Sequence, residues 1–404
     1  MSSVFLSLFF NVTILAVNFL VPLLVIPIIG KYYDFIYLNE YLFFQSSLAF
    51  LSIISDWGFS TTGIKELSVK FNEKDRIKCF FEILVFRFLA FIVSFTSLIL
   101  LLYIFRVESN FLFGVFILLS GLSFAISPIF YLQYQNKMKF YSMWNFISKL
   151  IFILGTYLIG LYECDFSYIG ILFFVCYFIV PFMFVFILCR ANINIIAKIK
   201  LVDVLSIGRN YVGFLIASIC SSSYRIFPVM ISGFLFPQSI EFSAYAVVDR
   251  VIRGISSLIQ PISQTVLPII LKQGSSLKIL ISYMMIGLSM TLFICIFNDY
   301  ILEFMIKDEE IIVIANDFMM LLAIIPFIVC MSNYFGNQRL IVEGFIKDLN
   351  RVLKYISLFS LIYFVIIYIY SLNFVSYLYV NLFSELLVLL GFLYACFFKK
   401  IKII

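Results

Sequence analysis

Between Val4 and Phe398 the chain repeatedly turns apolar for long enough to cross a bilayer. A hydrocarbon core takes about 20 apolar residues as a helix. Only helices and closed barrels can satisfy their backbone groups there. Hydropathy divides the 404 residues into twelve such runs: 4–29, 36–63, 79–105, 110–133, 141–162, 166–189, 207–231, 239–267, 277–297, 311–335, 355–371 and 374–398. Residues are 64% apolar and 12% charged, against about 45–50% and 25% in soluble proteins. The expectation is an all-α polytopic membrane protein with twelve transmembrane helices.

Charge placement orients those helices. Of the 28 Lys and Arg, 20 fall in or at the margins of the loops after the second, fourth, sixth, eighth and tenth spans and in the C-terminal tail. Three fall in the alternate loops. By the positive-inside rule both termini are cytoplasmic. The first run is too long for a signal-peptide core and lacks a small-residue cleavage site, so it reads as a retained helix. The linker 190–206, with Asn194 to Asp203 expected as an interfacial helix, falls at mid-chain. The expected division is 1–200, an N-terminal six-helix bundle with cytoplasmic linker, and 201–404, a C-terminal six-helix bundle. A weak repeat agrees, since Glu40-Tyr41 opens the second span as Glu241-Phe242 opens the eighth.

The segment Ser239 to Lys272 is the unusual one. It is long enough to span, yet carries Asp249, Arg250 and Arg253 near its middle. Charge at that depth costs at least about 2.5–3.5 kcal/mol per residue and normally faces a polar interior. Arg250, Arg253, Ser257, Gln260 and Gln264 are spaced to form one polar stripe on a helix. Asp249, four residues before Arg253, can partly neutralise it. Two Arg for one Asp favours an anionic ligand, against the plainer reading of an ion pair that glues helices together. The seventh span adds Arg225 with Ser218, Ser221 and Ser222, the first Asn11 and Asn18, and the second Tyr41, Gln45, Ser52 and Asp56. These stripes could line one cavity. Hydrogen bonding between neighbouring helices accounts equally well for Asn11, Asn18 and Gln45. Arg87 and Lys149 are expected to snorkel to the surface, Asp56 to cap or brace the following loop, and Glu385 to make a packing hydrogen bond or, alternatively, to couple a proton.

Several function classes are excluded. Histidine is absent, which removes the commonest metal ligand and general base. The eight cysteines are scattered without a C-x-x-C, which fits core residues and neither a zinc site nor a disulfide framework. There is no phosphate-binding G-x-x-x-x-G-K-[ST] loop. The net charge of +6 is a topology signal with no bearing on nucleic acid. No cofactor, no metal and no catalysis is expected; the chain reads as a transporter.

Three motifs resemble the polysaccharide flippases of the multidrug/oligosaccharidyl-lipid/polysaccharide exporter superfamily. Asp56-Trp-Gly-Phe-Ser-Thr-Thr-Gly-Ile-Lys-Glu66 is similar to that family's D-x-G-F-x-x-x-G-x-[RK]-E signature. Tyr245-Ala-Val-Val-Asp-Arg250, continuing to Pro261 and Pro268, resembles its eighth helix. Asn333-Tyr-Phe-Gly-Asn-Gln-Arg339 resembles the segment after its tenth. The family's Leu-Gly-x-x-x-Phe/Tyr-Gly run is incomplete here, where Ile29-Gly-Lys-Tyr-Tyr-Asp-Phe stands. The resemblance implies transport of an undecaprenyl-diphosphate-linked oligosaccharide, an O-antigen or capsule repeat unit, across the bacterial cytoplasmic membrane. The implied partners are that substrate, the lipid bilayer and other polysaccharide-assembly membrane proteins. Arg250, Arg253 and Arg225 suit a diphosphate, with Ser257, Gln260, Asn18 and Gln45 for sugar hydroxyls and Asp249 and Asp56 for coupling or charge balance. A lipid II-type peptidoglycan precursor flippase, a drug/cation antiporter of the same superfamily and a membrane glycosyltransferase or polymerase are the rivals.

Overall fold

The computed structural model describes Val17, residues 20–104, 110–135, 137–260, 277–370 and 372–398, and Ile262, Ser263, Val266 and Ile270. Every regular element among the described residues is helical. In order these are α1 (Leu20–Tyr32), α2 (Phe35–Asp56), α3 (Phe59–Val69), α4 (Glu73–Ile104), α5 (Phe111–Leu119), α6 (Leu122–Ala125), α7 (Ile129–Tyr134), α8 (Met138–Leu161), α9 (Ser167–Ala191) and α10 (Ile193–Ile196). Then follow α11 (Leu201–Asn210), α12 (Val212–Ser223), α13 (Phe227–Leu235), α14 (Ile240–Ser257), α15 (Leu277–Met305), α16 (Glu309–Leu322), α17 (Ile325–Asn333), a π-helical turn Tyr334–Leu340, α18 (Ile346–Ile369) and α19 (Val375–Phe398).

Eight described helical segments are long and apolar enough to cross a membrane, or nine if the bent pair α11–α12 is one span. They include α4, α5–α7, α8, α9, α15, α16–π, α18 and α19. The second and eighth expected spans fall short, and they are among the four on which the sequence placed polar stripes. α14 carries Glu241, Asp249, Arg250 and Arg253 within 18 residues. α2 carries Asn39, Glu40, Gln45 and Asp56. The seventh expected span is broken into α11, α12 and α13, with a 51° bend between the first two. Residues 194–203, expected as one interfacial helix, are instead divided between the single turn α10 and the start of α11.

Breaks follow local chemistry. Trp57 (φ 53°) and Gly58 (φ 82°) are left-handed and end α2; only glycine adopts that conformation without cost. Asp56 then accepts from the Ser60 amide (3.2 Å) and hydroxyl (2.6 Å), bracing the start of α3. Pro228 and Pro326 stand in the first turns of α13 and α17, where a missing N–H is harmless. Pro261 and Pro268 lie outside the described residues.

The chain forms two compact units: residues 1–33 with 43–219, and 34–42 with 220–404. In the first, Phe59, Phe80, Phe86 and Phe130 centre a core that also takes Val204 of α11. A Cβ on Gly170 of α9 would lie 2.9 Å from the Phe113 carbonyl of α5, so a small residue sets that close helix crossing. In the second unit Tyr224, Tyr283, Tyr334, Val388 and Phe392 pack together. There Gln338 of the π turn donates to the Ser263 carbonyl (2.8 Å) and the Tyr283 hydroxyl (3.1 Å). The third motif is thus a structural junction.

Arg87 and Lys149 do not snorkel. Both are 3% exposed. Arg87 pairs with Asp56 at 3.0 Å and donates to the carbonyls of Ser127 (3.0 Å) and Phe124, which replace the water a headgroup region would offer. Lys149 sets its ammonium over the Tyr177 ring, a cation–π contact worth most when desolvated.

Candidate functional site

The charged residues of the second unit assemble around α14 and α19. Asp249 on α14 accepts from Arg253 Nε (2.6 Å) one turn on, and from Asn381 Nδ2 (3.0 Å) of α19. One turn further along α19, Glu385 accepts from Arg225 Nε at 2.9 Å. Glu385 also lies within electrostatic reach of Arg253. Three side chains expected at the site, Arg225, Arg253 and Asp249, therefore come together within this unit.

Exposure within the pairs is lopsided. The Glu385 and Asp249 side chains are 2% and 6% exposed, those of Arg225 and Arg253 40% and 25%. The carboxylates are buried and the Arg side chains partly exposed, while Arg253 Nη2 is buried without a hydrogen-bond partner. Arg225 directs Nε (2.9 Å) and Nη2 (3.5 Å) at Glu385, and Arg253 gives Asp249 its Nε and leaves Nη2 unspent; Arg offers forked donors suited to phosphate oxygens. The carboxylates offset the cost of holding cations at depth.

The remaining expected residues are less uniform. Arg250 is half-buried on α14 and has interactions of its own. Ser257 donates to the Gly254 carbonyl (2.6 Å) of its own helix, and Gln260 is exposed just beyond the end of α14. Asn11, Asn18 and Gln264 lie outside the described residues. Gln45 and Asp56 are in the first unit, Gln45 buried and Asp56 committed to Arg87 and Ser60.

Sequence reasoning missed Glu385 as the partner of Arg225, Asn381 as the group that pins Asp249, and Tyr245, which is buried on α14 beside Asp249 and Asn381. The i, i+4 spacing of Asn381 and Glu385 was the available signal. Glu385, from 160 residues away, brings a second carboxylate to the cluster as the partner of Arg225. Among the described residues no three His, Cys, Asp or Glu side chains gather closely enough to hold a metal ion.

No family model matches the chain. A curated relative from Escherichia coli (strain K12), described as "Putative O-antigen transporter", is 24% identical over 394 residues, covering 88% of this chain and 89% of that protein. Among solved structures, "Lipid II flippase MurJ, inward closed conformation" superposes with a TM-score of 0.69 over 96% of this chain and 87% of that one, at 14% identity. The chain is a multi-pass membrane protein with the fold of that flippase, and its resemblance to polysaccharide flippases of the multidrug/oligosaccharidyl-lipid/polysaccharide exporter superfamily extends to a relative of the O-antigen type.

Proposed function

We propose that this protein flips an undecaprenyl-diphosphate-linked oligosaccharide, an O-antigen or capsule repeat unit, from the inner to the outer leaflet of the bacterial cytoplasmic membrane. The observation that carries the reading is the lopsided exposure of the second unit's ion pairs: two Arg side chains partly exposed, their carboxylates buried. A diphosphate needs fixed cations where water is scarce, and Arg225, with Arg253 and Arg250 of α14, would provide them. Ser257, Gln260, Asn18 and Gln45 are proposed for the sugars, and Asp249 and Asp56 for charge balance. The name of the curated relative supports a repeat-unit substrate. The solved structure supports a second reading, in which the cargo is a lipid II-type precursor.

Under this proposal the chain has twelve spans in two six-helix halves, 1–200 and 201–404, with both termini cytoplasmic. Reporters fused after Phe71, Arg190, Lys347 and Lys402 should be cytoplasmic, and those after Glu108, Asp165 and Glu309 outside. Asp165 and Arg190 on one side would rule out the twelve-span arrangement. The cargo is tested with purified protein in liposomes. Labelled diphosphate-linked oligosaccharide should cross faster than labelled lipid II, and the reverse preference would hand the assignment to the second reading.

A further inference from the structure

The linker between α9 and α12 has a face that its own unit leaves uncovered. α11 packs onto α4 through Val204 and Gly208, both buried. A Cβ on Gly208 would run into the Phe86 ring, and the Gly208 carbonyl accepts from Trp57 Nε1 at 3.0 Å. Asp203 is held by Lys78 at 3.1 Å. These contacts fix the rotation of α11 about its axis. At about 100° per residue, Leu201, Leu205, Val202 and Arg209 then share one sector about 100° wide. Leu201, Val202 and Leu205 are 61%, 76% and 53% exposed, and Arg209 is exposed among them.

The charge on this segment is one-sided. From 190 to 210 the sequence carries Arg190, Lys198, Lys200 and Arg209 against Asp203 alone, and Asp203 is already paired. None of the ion pairs among the described residues includes any of the four cations. A helix that shows aliphatic side chains and one cation on an exposed face, with Lys198 and Lys200 just before its start, suits the boundary between acyl chains and anionic headgroups. The 51° bend into α12 separates this amphipathic helix from the apolar one that follows.

We infer that α10 and α11 form a docking surface for anionic phospholipid in the leaflet beside the linker. Leu201, Val202 and Leu205 enter the acyl boundary, and Lys198, Lys200 and Arg209 contact headgroup phosphates. The long stem of Arg209 lies along the lipid while its guanidinium reaches outward. The surface belongs to the first unit alone and does not depend on which glycan is carried.

The test uses the full chain in nanodiscs of phosphatidylcholine, with and without phosphatidylglycerol, read by hydrogen–deuterium exchange over residues 193–210. Adding phosphatidylglycerol should slow exchange there on the order of tenfold. Salt of about 1 M should reverse the effect, since the screening length then falls to about 3 Å. The Lys198→Gln/Lys200→Gln/Arg209→Gln variant should lose the response while α4 exchanges as before, and Arg209→Gln alone should lose part of it. Equal exchange in both bilayers would overturn the inference, as would a triple variant that still responds. Inorganic phosphate giving the same protection in phosphatidylcholine discs would also overturn it, because the site would then bind a free anion. None of these readouts involves glycan transport, so failure here leaves the proposed function standing and failure of transport leaves this surface standing.

Discussion

In the first unit Arg87 is 3% exposed and its guanidinium is spent on Asp56 and on the carbonyls of Ser127 and Phe124, while Asp56 keeps 22% of its side chain accessible. In the second unit the order is reversed: Glu385 and Asp249 are buried, and the Arg225 and Arg253 side chains are partly exposed. Both arrangements solve the same problem, the cost of ions away from water. A cation buried among the carbonyls of its own unit, with its carboxylate beside it, can only hold that unit together. A cation whose partner sits behind it retains donors for something else.

The largest effects should separate these two roles. Arg253→Ala and Arg250→Ala are expected to abolish glycan export while protein stays in the membrane at normal level, and Arg225→Ala to lower it strongly. Surface polysaccharide measured against immunoblotted membrane protein reads both quantities. Wild-type export by well-expressed Ala variants would reduce the second unit's pairs to braces like that of the first. Arg87→Ala should instead lose the protein itself, since removing one member of a buried pair costs about 3–5 kcal/mol. Normal abundance of that variant would erase the contrast from the other side.

Lysine replacements sharpen the comparison. Arg225→Lys and Arg253→Lys should restore only part of export, because a point charge cannot reproduce a two-pronged contact with phosphate. Full rescue by lysine would show that charge alone matters at these positions.

The smallest effect belongs to an exposed carboxylate outside the helices. The Ser167 hydroxyl and amide beside Asp165 hold its pKa below the usual carboxylate value. A lowered folded-state pKa stabilises above the unfolded value, about 3.9, and the contribution fades as pH falls through the lowered one. Asp165→Asn should therefore flatten the acid limb of thermal stability slightly, as read in detergent. A drop in stability at neutral pH as large as that of Arg87→Ala would contradict the ranking.

Legibility in the sequence followed the range of the interaction. Apolar runs announced an all-helical membrane chain because each run is a local property. The α2–α3 break could be read from Asp56-Trp-Gly-Phe59, where one glycine and one capping carboxylate do the job. The Asp249–Arg253 pair could be read because it is one helical turn long. Glu385 with Arg225, Asn381 with Asp249 and Arg87 with Asp56 could not, since each joins helices whose rotation about their axes is set only by packing. The snorkelling expected of Arg87 and Lys149 failed for the same reason. It weighed depth along one helix and had no view of the carbonyls and the ring that a neighbouring helix supplies. The break at Tyr211 carried no proline to announce it.

Asn39 sits near the start of α2, is 1% exposed, and donates to the carbonyls of Pro237 (3.2 Å) and Ser239 (3.1 Å) while accepting from the Ser243 hydroxyl. Residues 34–42 thus belong to the second unit although the rest of α2 belongs to the first. A chimera that exchanges residues 201–404 for a relative's would transplant an incomplete module, with the donor's turn before α14 meeting a foreign Asn39. Exchanging 34–42 together with 220–404 moves the whole interlocking set. Recombination at the mid-chain linker alone should yield poorly assembled protein, and exchange of both segments should recover it, so this chain's halves are heritable as units only when nine residues travel out of order.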